Sequence, residues 1–139
     1  MESRVQLALN VSDIDQAVDF YEKLFKTAPA KRQPGYANFA IADPPLKLVL
    51  IESPGASARL NHLGVEVFEP AQVAEAQRRL AGEGLPVVSE DNVSCCYAVQ
   101  DKVWVTDPDG APWETYVVHA DTDTMGESSS ECCTAGSCC

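Results

Sequence analysis

The sequence predicts an α+β fold of two βαβββ modules in one chain, residues 1–57 and 58–119, curled into a cupped mixed sheet with a shared concave face. Three observations carry this expectation. Two segments, Arg4 to Val11 and Asn61 to Phe68, alternate apolar and polar residues with the period of two that a strand imposes, and each is followed by a helical apolar stripe. Displacing the first half so that Gln6 lies on His62 also lays Leu7 on Leu63 and Leu24 on Leu80, as an internal duplication does. Farther on the displacement grows, and Ala42-Asp43-Pro44 then matches Thr106-Asp107-Pro108.

Taken in order, the first strand sets Val5, Leu7, Leu9 and Val11 on one face and Gln6, Ala8 and Asn10 on the other. Ser12 and Asp13 can cap the next helix, whose stripe is Ile14, Ala17, Val18, Tyr21, Leu24 and Phe25 and which ends near Lys26. Ala28 to Pro34 is a connection with room for a short strand, and Tyr36 to Ala42 and Leu46 to Glu52 are strands joined at Asp43-Pro44-Pro45. The second half repeats the pattern. Leu63, Val65 and Val67 oppose His62, Gly64 and Glu66; Pro70 opens a helix with Val73, Ala76, Gln77 and Leu80. Val103 to Tyr116 reads as a hairpin turning at Asp107-Pro108-Asp109-Gly110, with proline and glycine where a type I turn takes them.

The 139 residues fit one domain or two small halves, with no apolar run long enough to span a membrane and no basic-then-apolar leader, so a cytoplasmic protein is expected. Residues 1–60 carry seven basic and seven acidic groups, whereas residues 61–119 carry three and ten. That balance excludes nucleic acid as a partner, since no basic patch is available to displace counterions from phosphates. Residues 120–139 are small, polar and acidic and predict a disordered tail. All six cysteines are adjacent pairs: Cys95-Cys96, Cys132-Cys133 and Cys138-Cys139. A ring between neighbours is strained, so the pairs are expected as dithiols suited to one thiophilic centre, the four in the tail capturing metal or metalloid.

The duplication also selects the residues that meet on the concave face. They are Gln6 and His62 on the first strands, with Leu48 and Glu114 on the last. Leu48 cannot bind a metal, which leaves Gln6, His62 and Glu114 as candidate ligands around open coordination positions. His119 falls past the last strand, on an expected solvated terminus. If Cys95 and Cys96 grip one atom they cannot point to opposite faces of a ladder, so Asp91 to Tyr97 is expected as a mobile loop.

The opening Arg-Val-Gln-Leu-Ala-Leu-Asn-Val, the Tyr-Glu-Lys-Leu-Phe of the first helix, Asn-His-Leu-Gly-Val-Glu-Val and Asp-Pro-Asp-Gly-Ala-Pro-Trp-Glu resemble the vicinal oxygen chelate superfamily over residues 4–118. Its fold is the cupped mixed sheet around a metal site. With Gly35-Tyr36-Ala37-Asn38-Phe39-Ala40, Pro45-Leu46-Lys47-Leu48-Val49-Leu50, the Cys95-Cys96 pair and the cysteine-rich tail, the chain is similar to the carbon-arsenic lyases, relatives of cadmium-inducible proteins. That resemblance implies a non-haem Fe(II) enzyme that uses O2 to cleave trivalent organoarsenicals such as methylarsenite, releasing arsenite. It places the metal on Gln6, His62 and Glu114 and the arsenic on Cys95 and Cys96. Gln6 stands where extradiol dioxygenases have histidine, giving a weaker, harder donor set.

Two other readings stay open. One is a non-catalytic binder of arsenite or cadmium; the other is a metal-dependent thiol transferase of the fosfomycin-resistance type, against which stands a lack of basic groups near the metal, Lys31, Arg32 and Lys47 excepted. Oligomeric state is also open, a homodimer being one candidate.

Overall fold

The computed structural model of the protein describes residues 2–121. Its chain divides into two compact units, one of Arg4–Asn61 and one running from His62 onward with Ser3 attached. The first unit contains β1 (Ser3–Val11), α1 (Ile14–Phe25), β2 (Lys31–Gln33), β3 (Tyr36–Ile41) and β4 (Leu46–Glu52). Its strands run in the order β2-β3-β4-β1, with β1 parallel to β4 and the other pairs antiparallel. Ile14 and Val18 of α1 pack against Ala37, Phe39, Ile41, Leu48 and Leu50, with Leu7 and Leu9 alongside, so the apolar face of β1 meets the helix as its alternation requires. Leu24 departs from the predicted stripe and is half exposed beside Phe20.

Helix α1 is fixed at both ends. Asp13 Oδ1 accepts from the Gln16 amide at 3.0 Å, and Glu52, the last residue of β4, accepts from the Ile14 amide at 2.9 Å. Lys26 closes the helix in the left-handed region at φ 53°.

The second unit contains β5 (Leu60–Val67), α2 (Pro70–Gly82), β6 (Val88–Cys95), β7 (Ala98–Thr106) and β8 (Pro112–Asp121). Strand order is β5-β8-β7-β6, with β5 parallel to β8 and the rest antiparallel. Val73 and Ala76 of α2 bury against Val67, Val103 and Val117. Proline opens α2, and the Glu69 amide donates to Gln72 Oε1 at 3.1 Å. At the β7–β8 turn the Gly110 amide donates to the Asp107 carbonyl at 3.0 Å, while Asp107 Oδ1 accepts from Asp109 and Ala111. Those backbone donors, Ala111 foremost, hold the Asp107 carboxyl below its usual range.

Each unit is thus the βαβββ module that the duplication predicts. Among the described residues no helix is long and apolar enough to cross a membrane. The expected tail, with Cys132, Cys133, Cys138 and Cys139, lies outside the described residues.

Asp13 carries the α1 cap, so Asp13→Ala should lower stability by about 1 kcal/mol, read as a reduced urea midpoint with unchanged slope.

Candidate active site

One face of the second unit's strands is polar although buried. On β5 it carries His62, Gly64 and Glu66; register then sets Glu114 of β8 beside Gly64 on one side and Trp104 of β7 on the other. Lys102 lies opposite Tyr116 on the same face. His62, Lys102 and Glu114 have 0, 0 and 1 % of their surface exposed. Charged groups are buried to this degree almost only when paired.

The pairing is explicit. Glu114 Oε2 accepts from Lys102 Nζ at 3.1 Å, and Glu114 Oε1 lies 3.5 Å from His62 Nε2. Burial alone pushes the Glu114 carboxyl up, but the nearby charges of Lys102 and His62 and the hydrogen bond from Lys102 outweigh it and bring it down to about 2. Trp104 closes the group: its ring meets His62 edge-on at 5.4 Å, takes Lys102 Nζ at 5.5 Å, and anchors its own N–H on Glu90 at 2.8 Å.

The donor atoms suit a divalent ion. A spacing of 3.5 Å is long for a hydrogen bond. Two donors each about 2.1 Å from a common ion stand about 3.0–3.4 Å apart at octahedral to tetrahedral angles. Lys102 meanwhile fixes the second carboxylate oxygen, as outer-shell partners of metal ligands do. Among the described residues no group of three or more His, Cys, Asp and Glu side chains stands together to hold an ion. Gln6 belongs to the first unit, where it is buried on β1 in register with Lys47.

The duplication reasoning slipped by one residue on β4. Ala8, the counterpart of Gly64, pairs with Val49, and Leu48 lies in the α1 core. Val49, not Leu48, therefore corresponds to Glu114, because the longer β7–β8 turn adds a residue and a shift of one exchanges the faces of a strand. His119 is also corrected: it lies within β8 and its Nε2 pairs with Asp101 at 2.9 Å. Lys102, which nothing in the sequence reading singled out, supplies a basic group beside Glu114. Its signal was the period-two run Gln100, Lys102, Trp104 in a strand whose intervening residues include Val103 and Val105.

The cysteines differ from expectation in two ways. Asp91 to Tyr97 is not a loop: β6 continues to Cys95, which pairs with Ala98, and the Asp91-Asn92 turn signal appears as a register shift between Glu90 and Val93. Asn92 has φ 55°, and its amide donates to Asp101 at 2.7 Å. The chain reverses on two residues, Cys96 and Tyr97, with φ of 50° and 64°. Positive φ at both positions marks the mirror-image hairpin turn, which favours Asn-Gly. Cys96 has thereby left the ladder and its opposite-face constraint. Both cysteines are buried and disulfide-bonded, rather than the expected dithiol. A polar pocket of about 150 Å3 lined by residues including Asn10, Ser12, Ser53 and Arg59 contains none of the candidate residues.

A family model described as the Glyoxalase/Bleomycin resistance protein/Dioxygenase superfamily matches residues 4–115. The chain belongs to this superfamily. Within it, the chain is 63 % identical over 134 residues to the trivalent organoarsenical cleaving enzyme of Thermomonospora curvata, covering 95 % of this chain and 89 % of that one. It is 59 % identical over 124 residues to the cadmium-induced protein CadI of Mycobacterium tuberculosis, covering 89 % and 82 %. The 2,3-dioxygenase LapB of Pseudomonas sp. KL28 shares the superfamily fold with a TM-score of 0.65 at 17 % identity, over 89 % of this chain and 44 % of LapB.

The depressed Glu114 carboxyl has a pH signature. Because its folded value lies below 4.5, its contribution to stability is present above that pH and lost as pH falls toward about 2. Urea midpoints should fall through that window, and Glu114→Gln should flatten the fall.

Proposed function

We propose that the chain is a carbon-arsenic lyase that uses Fe(II) and O2 to convert trivalent organoarsenicals such as methylarsenite to arsenite. The observation that carries this reading is the buried His62–Glu114 pair, with its carboxylate held by Lys102, on the same sheet as a hairpin that turns just after Cys95, at Cys96 and Tyr97. The 63 % identity to an enzyme named for organoarsenical cleavage supports it.

In this reading Gln6, His62 and Glu114 hold the iron, and Lys102 keeps Glu114 ionised and its carboxylate plane fixed. When bound, iron supplies the O2 chemistry that none of these side chains can perform. Cys95 and Cys96 hold the substrate. Disulfide-bonded Cys95 and Cys96 must first be reduced to thiols, each disulfide taking two electrons and two protons from a dithiol reductant; a reducing cytoplasm provides such donors. Each thiol then displaces one hydroxyl from R–As(OH)2 as water, fixing arsenic by two As–S bonds and orienting its As–C bond. For methylarsenite the overall change balances as CH3As(OH)2 and O2 giving As(OH)3 and formaldehyde. Trp104 and the buried setting of His62 and Glu114 limit water around the reacting groups. The four tail cysteines are assigned to capture of arsenic before transfer or after release.

Reduced protein charged with Fe(II) without air, then given methylarsenite and O2, should release arsenite and formaldehyde. Turnover that continued unchanged under nitrogen would refute the oxygenase reading. Glu114→Ala should lower turnover by more than about 100-fold while arsenical binding persists. Cys95→Ser and Cys96→Ser should each lose tight methylarsenite binding while Fe(II) binding survives. The 59 % identity to a cadmium-induced protein carries a second reading, a stoichiometric binder of arsenite or cadmium, which predicts uptake with no product.

A further inference from the structure

The proposed metal ligands do not account for the buried side chain of Gln100. Gln100 stands two residues before Lys102 on the same face of β7 and is 4 % exposed. One end of its amide is engaged, with Nε2 donating to the Cys95 carbonyl at 2.9 Å. The other end is stranded: Oε1 is buried with no hydrogen-bond partner. Buried acceptors are rarely left this way, and methionine would fill the same space without the fault. Across the hairpin Gln100 is in register with Val93, two residues before Cys95, and its hydrogen bond to the Cys95 carbonyl ties it to the cysteine turn, whose sulfurs, once disulfide-bonded, carry no hydrogen to offer it.

We infer that Gln100 is a positioning residue for arsenical capture, its Nε2 clamping the Cys95 carbonyl and its Oε1 receiving the hydrogen of an arsenic-bound hydroxyl. This rests on the reading of Cys95 and Cys96 as the arsenic ligands. R–As(OH)2 brings two such hydroxyls. While Oε1 holds one, the first thiol displaces the other as water, leaving Cys–S–As(R)–OH. The second thiol then displaces the held hydroxyl as a second water, and the acceptor is released. Gln100 therefore favours hydroxylated arsenicals over arsenicals already carrying two thiols, which have no As–OH to donate.

The test uses the full-length reduced protein without iron, with Cys132, Cys133, Cys138 and Cys139 changed to serine so that the tail does not compete. Stopped-flow capture rates compare the Gln100 protein with Gln100→Met against methylarsenite and against its bis(ethanethiol) conjugate. Gln100→Met should slow methylarsenite capture by roughly three- to tenfold and conjugate capture by less than about twofold. Equal capture rates of the two proteins for methylarsenite overturn the inference, and so does an equal slowing for both ligands. Failure of the Gln100 protein itself to bind methylarsenite overturns instead the assignment of arsenic to the cysteines. Unchanged Fe(II) binding verifies that Gln100→Met is folded. If it is not, Gln100→Glu, which keeps an oxygen acceptor in the same shape, replaces it and must retain the preference for methylarsenite.

Discussion

Glu114 is a carboxylate with 1 % of its surface exposed, and its ionised state is what the second unit must support. Left alone, a carboxylate buried this deeply would take up a proton, because its desolvation costs several kcal/mol. Lys102 prevents this from the neighbouring strand at 3.1 Å, and the antiparallel register of β7 with β8 is what brings the two side chains together. The position of Lys102 is in turn secured by Trp104, whose N–H is tied to Glu90 on β6. Three strands therefore cooperate in keeping one negative charge.

Much of the fold was legible because its determinants are local. The alternation in β1 and β5, Asp13 before α1, Pro70 at the start of α2 and the Asp107–Gly110 turn each specify backbone geometry from a few adjacent residues. His62 and Glu114 were legible through the duplication, and the structure brings their side chains together. What escaped depends on register between strands. Leu48 was taken for the counterpart of Glu114, although Val49 holds that place, because one extra turn residue cannot be assigned to a strand from composition. Lys102 escaped for a different reason: a lysine alternating with apolar residues reads as a solvated edge until its partner twelve residues away is known.

The cysteine hairpin shows the limit of reasoning from a strand's alternation. Adjacent side chains in a ladder do point apart, but the ladder ends at Cys95, and the next two residues occupy the left-handed region where non-glycine residues cost about 1–2 kcal/mol each. A chain free to choose would place Asn-Gly there. Cys-Tyr in a turn of this kind is a backbone held off its preference, which persists only because the surrounding structure over-determines it.

Trp104 has a further property that follows from its neighbours. Its indole touches His62 and lies under the Lys102 ammonium, so the two groups flanking Glu114 both fall within the field that sets the ring's emission energy. The chain has one other tryptophan, Trp113, in the register position beside Leu63. The protein thus carries an intrinsic optical probe at the heart of its charge network, and a change of ligand or protonation there is written into its fluorescence without any label.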